Sequence, residues 1–391
     1  MDLTDYNSIL EASYNSANNE FKKDVGVSFF SSLSPSQKKW IMCVFKYIED
    51  YKGVLAVLIT SLVKKIADPS QDIRSHMEKL PNGYSGRTLD TRFITPFLKK
   101  HFTRFAMSES GWLTRSLEQS QPYDSKYPGA IRNTKVKDAF LQILNDLQSN
   151  HTDPKSYLVA MFIELLRKVS DENSYMEKYE VTEETVTITE IINLLKQHFF
   201  AKYKGYGASR LPVIAIYSIY QILMNDVDRY KGKKLLELRS HLSSDIKSHG
   251  IGDVEIVDED GNYFEAVEIK HEKPVDEVMI NDSFKKFKFI AVKRFYILTT
   301  SDPNIAEGHE EAVNLKIREI KKENGCEVIA NGLISSIKYY LRMTNEPGKF
   351  LSVYTKNLKN EFQKNTEIKE EHVKKWDEIM NQFKGKNDDS A

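Results

Sequence analysis

The sequence predicts a mixed α/β protein, a sheet flanked by helices, with a helix-rich part in front of it. Two observations predict it. Up to about residue 250 apolar residues recur at three and four positions, which is helical spacing. After Ile251 the period drops to two, and strand-like and helix-like segments then alternate.

Between 35 and 66 the helical pattern runs through Trp40, Val44 and Ile48, then Val54, Val57 and Leu58. Residues 81 to 133 break it with Gly83, Gly86, Gly111, Gly129, Pro96, Pro122 and Pro128, so loops with short helices are expected there, and Arg87, Arg92, Arg104, Arg115 and Arg132 recur through them. Helical spacing returns at 136 to 147, 157 to 169, 188 to 200 and 211 to about 230. DVEIV and YFEAVEIK then alternate on either side of DEDGN, whose Asp260-Gly261 pair is a hairpin-turn signal. A helix at 282 to 290, a strand at 295 to 300, a helix at 307 to 322, a strand at 326 to 330 and a helix at 333 to 342 complete the pattern. The expected organisation is a helix-rich region at 1–205, a core at 206–355, and a C-terminal helix with a loose polar tail at 356–391.

At 391 residues, with 40% hydrophobic and 29% charged side chains, the composition is that of a folded chain of more than one ordinary domain. The longest apolar runs, 54–63 and 211–224, fall short of the roughly 18 residues of a membrane span. No secretory leader is legible in MDLTDYNSIL, so a cytoplasmic protein without a membrane role is expected. Cys43 and Cys326 stand alone, without a zinc-ligand spacing or a disulfide framework. Basic and acidic residues balance at 56 each, which argues against coating nucleic acid by charge alone. Charge is nevertheless uneven: 284 to 296, FKKFKFIAVKRFY, carries Lys285, Lys286, Lys288, Lys293 and Arg294 and no acid. GYG at 205–207 and GKK at 232–234 fit no phosphate-binding fingerprint.

Alternate strand residues share a face, so Asp253, Glu255 and Val257 group on one strand and Phe264, Ala266, Glu268 and Lys270 on the next. Two acids can then meet across the hairpin. Charges at the end of a buried strand need a partner. Mg²⁺ supplies one, since it prefers hard oxygen ligands and is commonly held by one or two carboxylates with water and substrate phosphate. In such a site the cation acidifies a water and offsets charge on phosphorus oxygens, while the Lys270 ammonium orients that water: the chemistry of phosphodiester hydrolysis.

Asp253, residues 254 to 267, then Glu268-x-Lys270 on a hairpin resembles the PD-(D/E)xK nuclease signature, with Gly252 where that pattern usually has proline. The strings GYSGRTLDTRFITPFLKKHF, ESGWLTRSLEQSQPYDSKYPGAIR, GYGASRLPVIAIYSIYQ, SHGIGDVEIVDEDGNYFEAVEIKH and GCEVIANGLISSIKYYLR, over roughly 83 to 345, resemble the SacI-type family of type II restriction endonucleases. The resemblance implies a restriction-endonuclease-like core and cleavage of double-stranded DNA at a short, palindromic site, leaving 5′-phosphate and 3′-hydroxyl ends. It further implies Mg²⁺, with Mn²⁺ able to substitute, a homodimer, a separate cognate methyltransferase protecting a bacterial or archaeal host, and a recognition or dimerisation role for 1–205. Asp253, Glu268 and Lys270 would be catalytic, and Asp253, Glu268 and the backbone carbonyl of Ile269 would hold the metal.

Other residues carry open alternatives. Glu255 is a further ligand or an exposed strand residue. Glu237, on an expected helix before the hairpin, completes the metal shell or is a surface glutamate paired with Lys233 or Lys234. His271 points away from Lys270 and suits a structural or phosphate-contacting role. Arg87, Arg92 and Arg115 are candidates for base or backbone contacts with DNA, and Lys285, Lys286 and Lys288 for phosphate contacts. Within the same fold a modification-dependent or structure-directed nuclease is the alternative, and outside it a non-catalytic DNA-binding protein.

Overall fold

Ser34 and Gln37 bond each other's backbone N–H groups, at 2.7 and 3.4 Å, and with Pro35 behind the cap they start a helix where the sequence places one. The computed structural model describes residues 4–23, 33–150, 152–176, 186–239, 250–364 and 367–388. The chain separates into two compact units, Met1–Ser174 and Tyr175–Ala391.

The first unit is helical: α1 (Thr4–Lys23), α2 (Pro35–Lys46), α3 (Lys52–Ala67), α4 (Gly86–Leu89), α5 (Thr95–His101), α6 (Thr134–Ser149) and α7 (Pro154–Met176). Every residue of α3 from Gly53 to Val63 is buried, so it is the central helix, apolar all round. The loops between α3 and α6 are pinned by polar bonds. Buried Asp90 accepts from Thr95 and Ser110 hydroxyls at 2.9 and 2.7 Å and from Gly111 N–H at 2.7 Å. Trp112 donates its indole N–H to His76 Nδ1 at 2.9 Å.

The second unit holds α8 (Ile188–Phe199), α9 (Arg210–Asp226), β1 (Lys234–Leu235), β2 (Val254–Val257), β3 (Tyr263–Lys270), α10 (Glu277–Phe287), β4 (Val292–Thr299), α11 (Glu310–Asn324), β5 (Glu327–Gly332), α12 (Leu333–Leu341), α13 (Lys349–Gln363) and α14 (Glu370–Asp388). The strands form one mixed sheet in the order β1-β2-β3-β4-β5, antiparallel from β1 to β3 and parallel from β3 to β5. Helices cover both faces. Val267, Ile269 and Leu298 pack with α8, α9, α12, α13 and α14, whereas Ala266, Phe295 and Ile297 pack with α10 and α11. Gly261, at φ 83°, makes the β2–β3 turn that the Asp-Gly pair announces.

The boundary at Ser174 lies within the 170–205 stretch where the sequence changes character, and Ile191, Leu195 and Phe199 of α8 join the core of the second unit. Leu358, Phe362, Trp376 and Met380 of the C-terminal helices are buried in that same core, and α14 continues past Lys384, where a loose tail was expected, to Asp388. Glu237 lies beyond β1 in extended chain and not on a helix, since Lys234 and Leu235 pair with Val257 and Ile256 of β2. No helix among the described residues is long and apolar enough to cross a membrane.

Candidate active site

Asp253 sits one residue before β2, where the chain closes onto β3. Its N–H donates to Val267 O at 2.8 Å, and Ile269 N–H donates to its Oδ2 at 2.7 Å. The antiparallel register, Val254 opposite Val267, sets Asp253 across from Glu268. Gly252 explains the missing proline. A Cβ there would lie 2.9 Å from Val267 O, so only glycine allows the backbone this close to β3 just ahead of the carboxylate.

Glu268 is 5% exposed. Lys270 Nζ donates to its Oε1 at 2.7 Å and Lys286 Nζ, from α10, to its Oε2 at 2.8 Å. A carboxylate this buried needs such pairing, and with Asp253 opposite, the two ammoniums face two carboxylates. Lys286 was legible only as part of a basic run suited to DNA backbone. Its turn toward Glu268 depends on how α10 packs over the sheet.

The other acids take different positions. Glu255 is 4% exposed, accepts from Ile251 N–H at 2.6 Å and Gly252 N–H at 3.3 Å, and pairs with Arg239 at 3.1 Å. It lies on the same side of the hairpin as Asp253, opposite Ala266 as Asp253 is opposite Glu268, but its carboxylate is turned back to hold the chain leading to Asp253. The Glu237 side chain is 89% exposed and lies 4.0 Å from Lys364, not against Lys233 or Lys234. His271 is packed and bonded: its Nδ1 lies 2.9 Å from Thr300 Oγ1 and its ring 5.7 Å from that of Phe200. Burial holds its pKa below the ordinary histidine value.

Lys285 pairs with Asp282 at 2.7 Å and Lys288 with Glu323 at 2.9 Å, both at the surface. Arg87, Arg92 and Arg115 belong to the first unit. Arg87 lies within 3.8 Å of Glu109 and 3.5 Å of Glu118, and Arg92 and Arg115 are exposed.

Among the described residues no group of three or more histidine, cysteine, aspartate or glutamate side chains is placed to hold a metal. A smaller donor set fits one. Asp253 and Glu268 are hard carboxylates on opposed strand positions, and a divalent cation would neutralise the charge that two ammoniums now neutralise on Glu268.

Glu265, not singled out by sequence, is fully buried on β3. Tyr230, Tyr220 and Tyr296 hydroxyls reach it at 3.0, 3.4 and 3.4 Å, and Arg229 and Arg294 pair with it. Its partners are scattered along the chain, so no local spacing announces them.

No family model and no curated protein matches this chain.

Proposed function

We propose that the protein is a Mg²⁺-dependent endonuclease of the PD-(D/E)xK class, a type II restriction enzyme cutting double-stranded DNA at a short specific site. One observation supports this above others: Asp253 meets the Glu268-Ile269-Lys270 segment where β2 and β3 pair, in a mixed sheet covered by helices on both faces.

Asp253, Glu268 and the Ile269 carbonyl would hold the cation, and Mn²⁺ would serve in its place. When bound, the cation offsets negative charge developing on the phosphate. Lys270, bonded to Glu268, would orient the attacking water and stabilise that charge. Lys286, on the same carboxylate, adds a second ammonium for the phosphate. Glu255 positions Asp253 through the backbone at Ile251 and Gly252. The first unit, with Arg87, Arg92 and Arg115, would read DNA or build a homodimer. A restriction enzyme of this kind requires a separate methyltransferase to protect its host.

The test is incubation of the purified chain with unmethylated plasmid or phage DNA, with Mg²⁺ or with EDTA, followed by end sequencing. Discrete Mg²⁺-dependent fragments with 5′-phosphate ends support the proposal. Cleavage only of modified or branched DNA replaces it with the corresponding nuclease of this class, and intact DNA in every lane with a non-catalytic binder.

A further inference from the structure

The sheet carries a second charged feature, at the opposite end of β3 from Glu268. Arg229, Phe264, Lys293, Arg294, Lys321 and Glu327 line a cavity of about 420 Å³, within the size range of small-ligand sites. Phe264 is the second residue of β3, and Lys293 and Arg294 lie near the start of β4, opposite it in the parallel register. Phe264 and Glu268 are four positions apart on β3, about 13 Å along a strand, so the two sites are distinct.

The cations here are held in place and only partly neutralised. Arg229 and Arg294 both pair with Glu265 beneath the cavity, so one buried carboxylate serves two guanidiniums. The three tyrosine hydroxyls fix Glu265 in turn. Both arginine side chains remain about a third exposed, 34% and 38%, so guanidinium donors stay available above the carboxylate. Lys293 is exposed and has no carboxylate partner among the described residues. Lys321 pairs at 3.0 Å with Glu327 on the rim. The Phe264 ring holds cations by its face, with Arg229 at 5.1 Å and Lys293 at 5.6 Å from its centroid. Lys233 also lies over that ring, at 5.2 Å, but does not line the cavity. Four cations thus stand against Glu265 and Glu327.

We infer that this cavity is a phosphoryl-anion site, in which Arg229 and Arg294 grip the oxygens of a phosphate ester and Lys293 and Lys321 close over it. Planar guanidinium forks match such an anion in pairs, and prior fixation by Glu265 and the tyrosines lowers the ordering cost on binding. The phosphate belongs either to a small phosphorylated molecule or to a nucleic-acid backbone. The site does not depend on the nuclease reading, since its residues take no part in that chemistry.

Titration of the full chain in EDTA, where no cleavage occurs, tests the inference with three probes: inorganic phosphate, adenosine 5′-monophosphate and a fluorescent duplex. Binding of either small probe, weakened about tenfold or more in Lys293→Ala/Arg294→Ala, assigns a small-molecule site. Binding of the duplex alone, weakened likewise, assigns the nucleic-acid backbone. Lys321→Glu alters only a rim charge, leaves the Glu265 cluster intact, and must weaken the same probe even if the double variant misfolds. The inference is overturned if no probe binds, or if Lys321→Glu binds every probe as tightly as the parent chain. Absence of Mg²⁺-dependent DNA cleavage by the parent chain, with phosphate binding retained, would remove the nuclease proposal and leave this site standing.

Discussion

Lys286 of α10 reaches across to Glu268 of β3, its Nζ 2.8 Å from Oε2. A helix lysine thereby shares the carboxylate that Lys270 holds from within the strand. The pairing separates Lys286 from the other lysines of its run.

Lys270→Ala is expected to lower Mg²⁺-dependent cleavage by about a hundred- to a thousandfold. Lys286→Ala should cost about tenfold, and Lys285→Ala, which removes only an exposed pair with Asp282, should stay within about twofold. Single-turnover cleavage rates check the ranking. Equal effects of Lys285→Ala and Lys286→Ala would show that the contact with Glu268 is irrelevant to turnover.

The acids should separate as well. Asp253→Asn is expected to abolish cleavage while leaving unfolding unchanged within about 1 kcal/mol, since the amide oxygen still accepts from Ile269 N–H. Glu255→Gln should destabilise the fold by about 1–3 kcal/mol, because two backbone N–H groups and Arg239 lose a buried charged acceptor. Glu237→Ala should do neither. Urea unfolding beside Mg²⁺ titration measures both quantities, and a Glu255→Gln protein of parental stability that no longer responds to Mg²⁺ would reassign Glu255 to the metal.

DNA affinity is expected to fall linearly on a log–log plot against salt as counterions are released. Lys288→Ala should reduce the slope by about 1 without changing which sequence is preferred. Competition binding in EDTA at several salt concentrations gives the slope, and an unchanged value removes Lys288 from the DNA surface.

Two buried histidines predict acid sensitivity. His76 Nδ1 accepts from Trp112, whose indole N–H cannot accept in return, and its Nε2 faces Gln121 O at 3.1 Å. Burial lowers its pKa from 6.5 to about 4. His198 lies between Tyr354 OH and His372 O, both at 2.9 Å, and burial lowers its pKa from 6.5 to about 3. The folded state prefers both rings neutral, so their contribution is fully present above pH 6.5 and is lost as pH falls toward these depressed values. By pH 4 the loss is on the order of 3 kcal/mol for each. Unfolding curves from pH 7.5 to 4.5 should flatten in His76→Gln, since glutamine keeps one donor and one acceptor. An acid limb identical to the parent's in both His76→Gln and His198→Gln counts against this account.

Much of the second unit was legible because its signals are local. The Asp260-Gly261 turn, the alternation in YFEAVEIK and the spacing in 333 to 342 each report the conformation of their own few residues. The first unit was legible only as helices and breaks, since Asp90, Thr95 and Ser110 come together through tertiary packing. Which core receives α8 was hidden for the same reason: an amphipathic helix shows that it has an apolar face and not what covers it.

By itself the sequence determined the hairpin, the period that puts Glu268 and Lys270 on one side of a strand, and the helix–strand alternation after it, all consequences of backbone geometry and turn chemistry within a few residues. Only the tertiary structure decided that Glu255 turns back to Ile251, that Glu237 lies in the open, that Lys286 meets Glu268, and that Glu265 gathers two arginines and three tyrosines. Long side chains reach several ångströms from their Cα atoms, so their partners are set by which elements pack together and in what register, information that no local spacing contains.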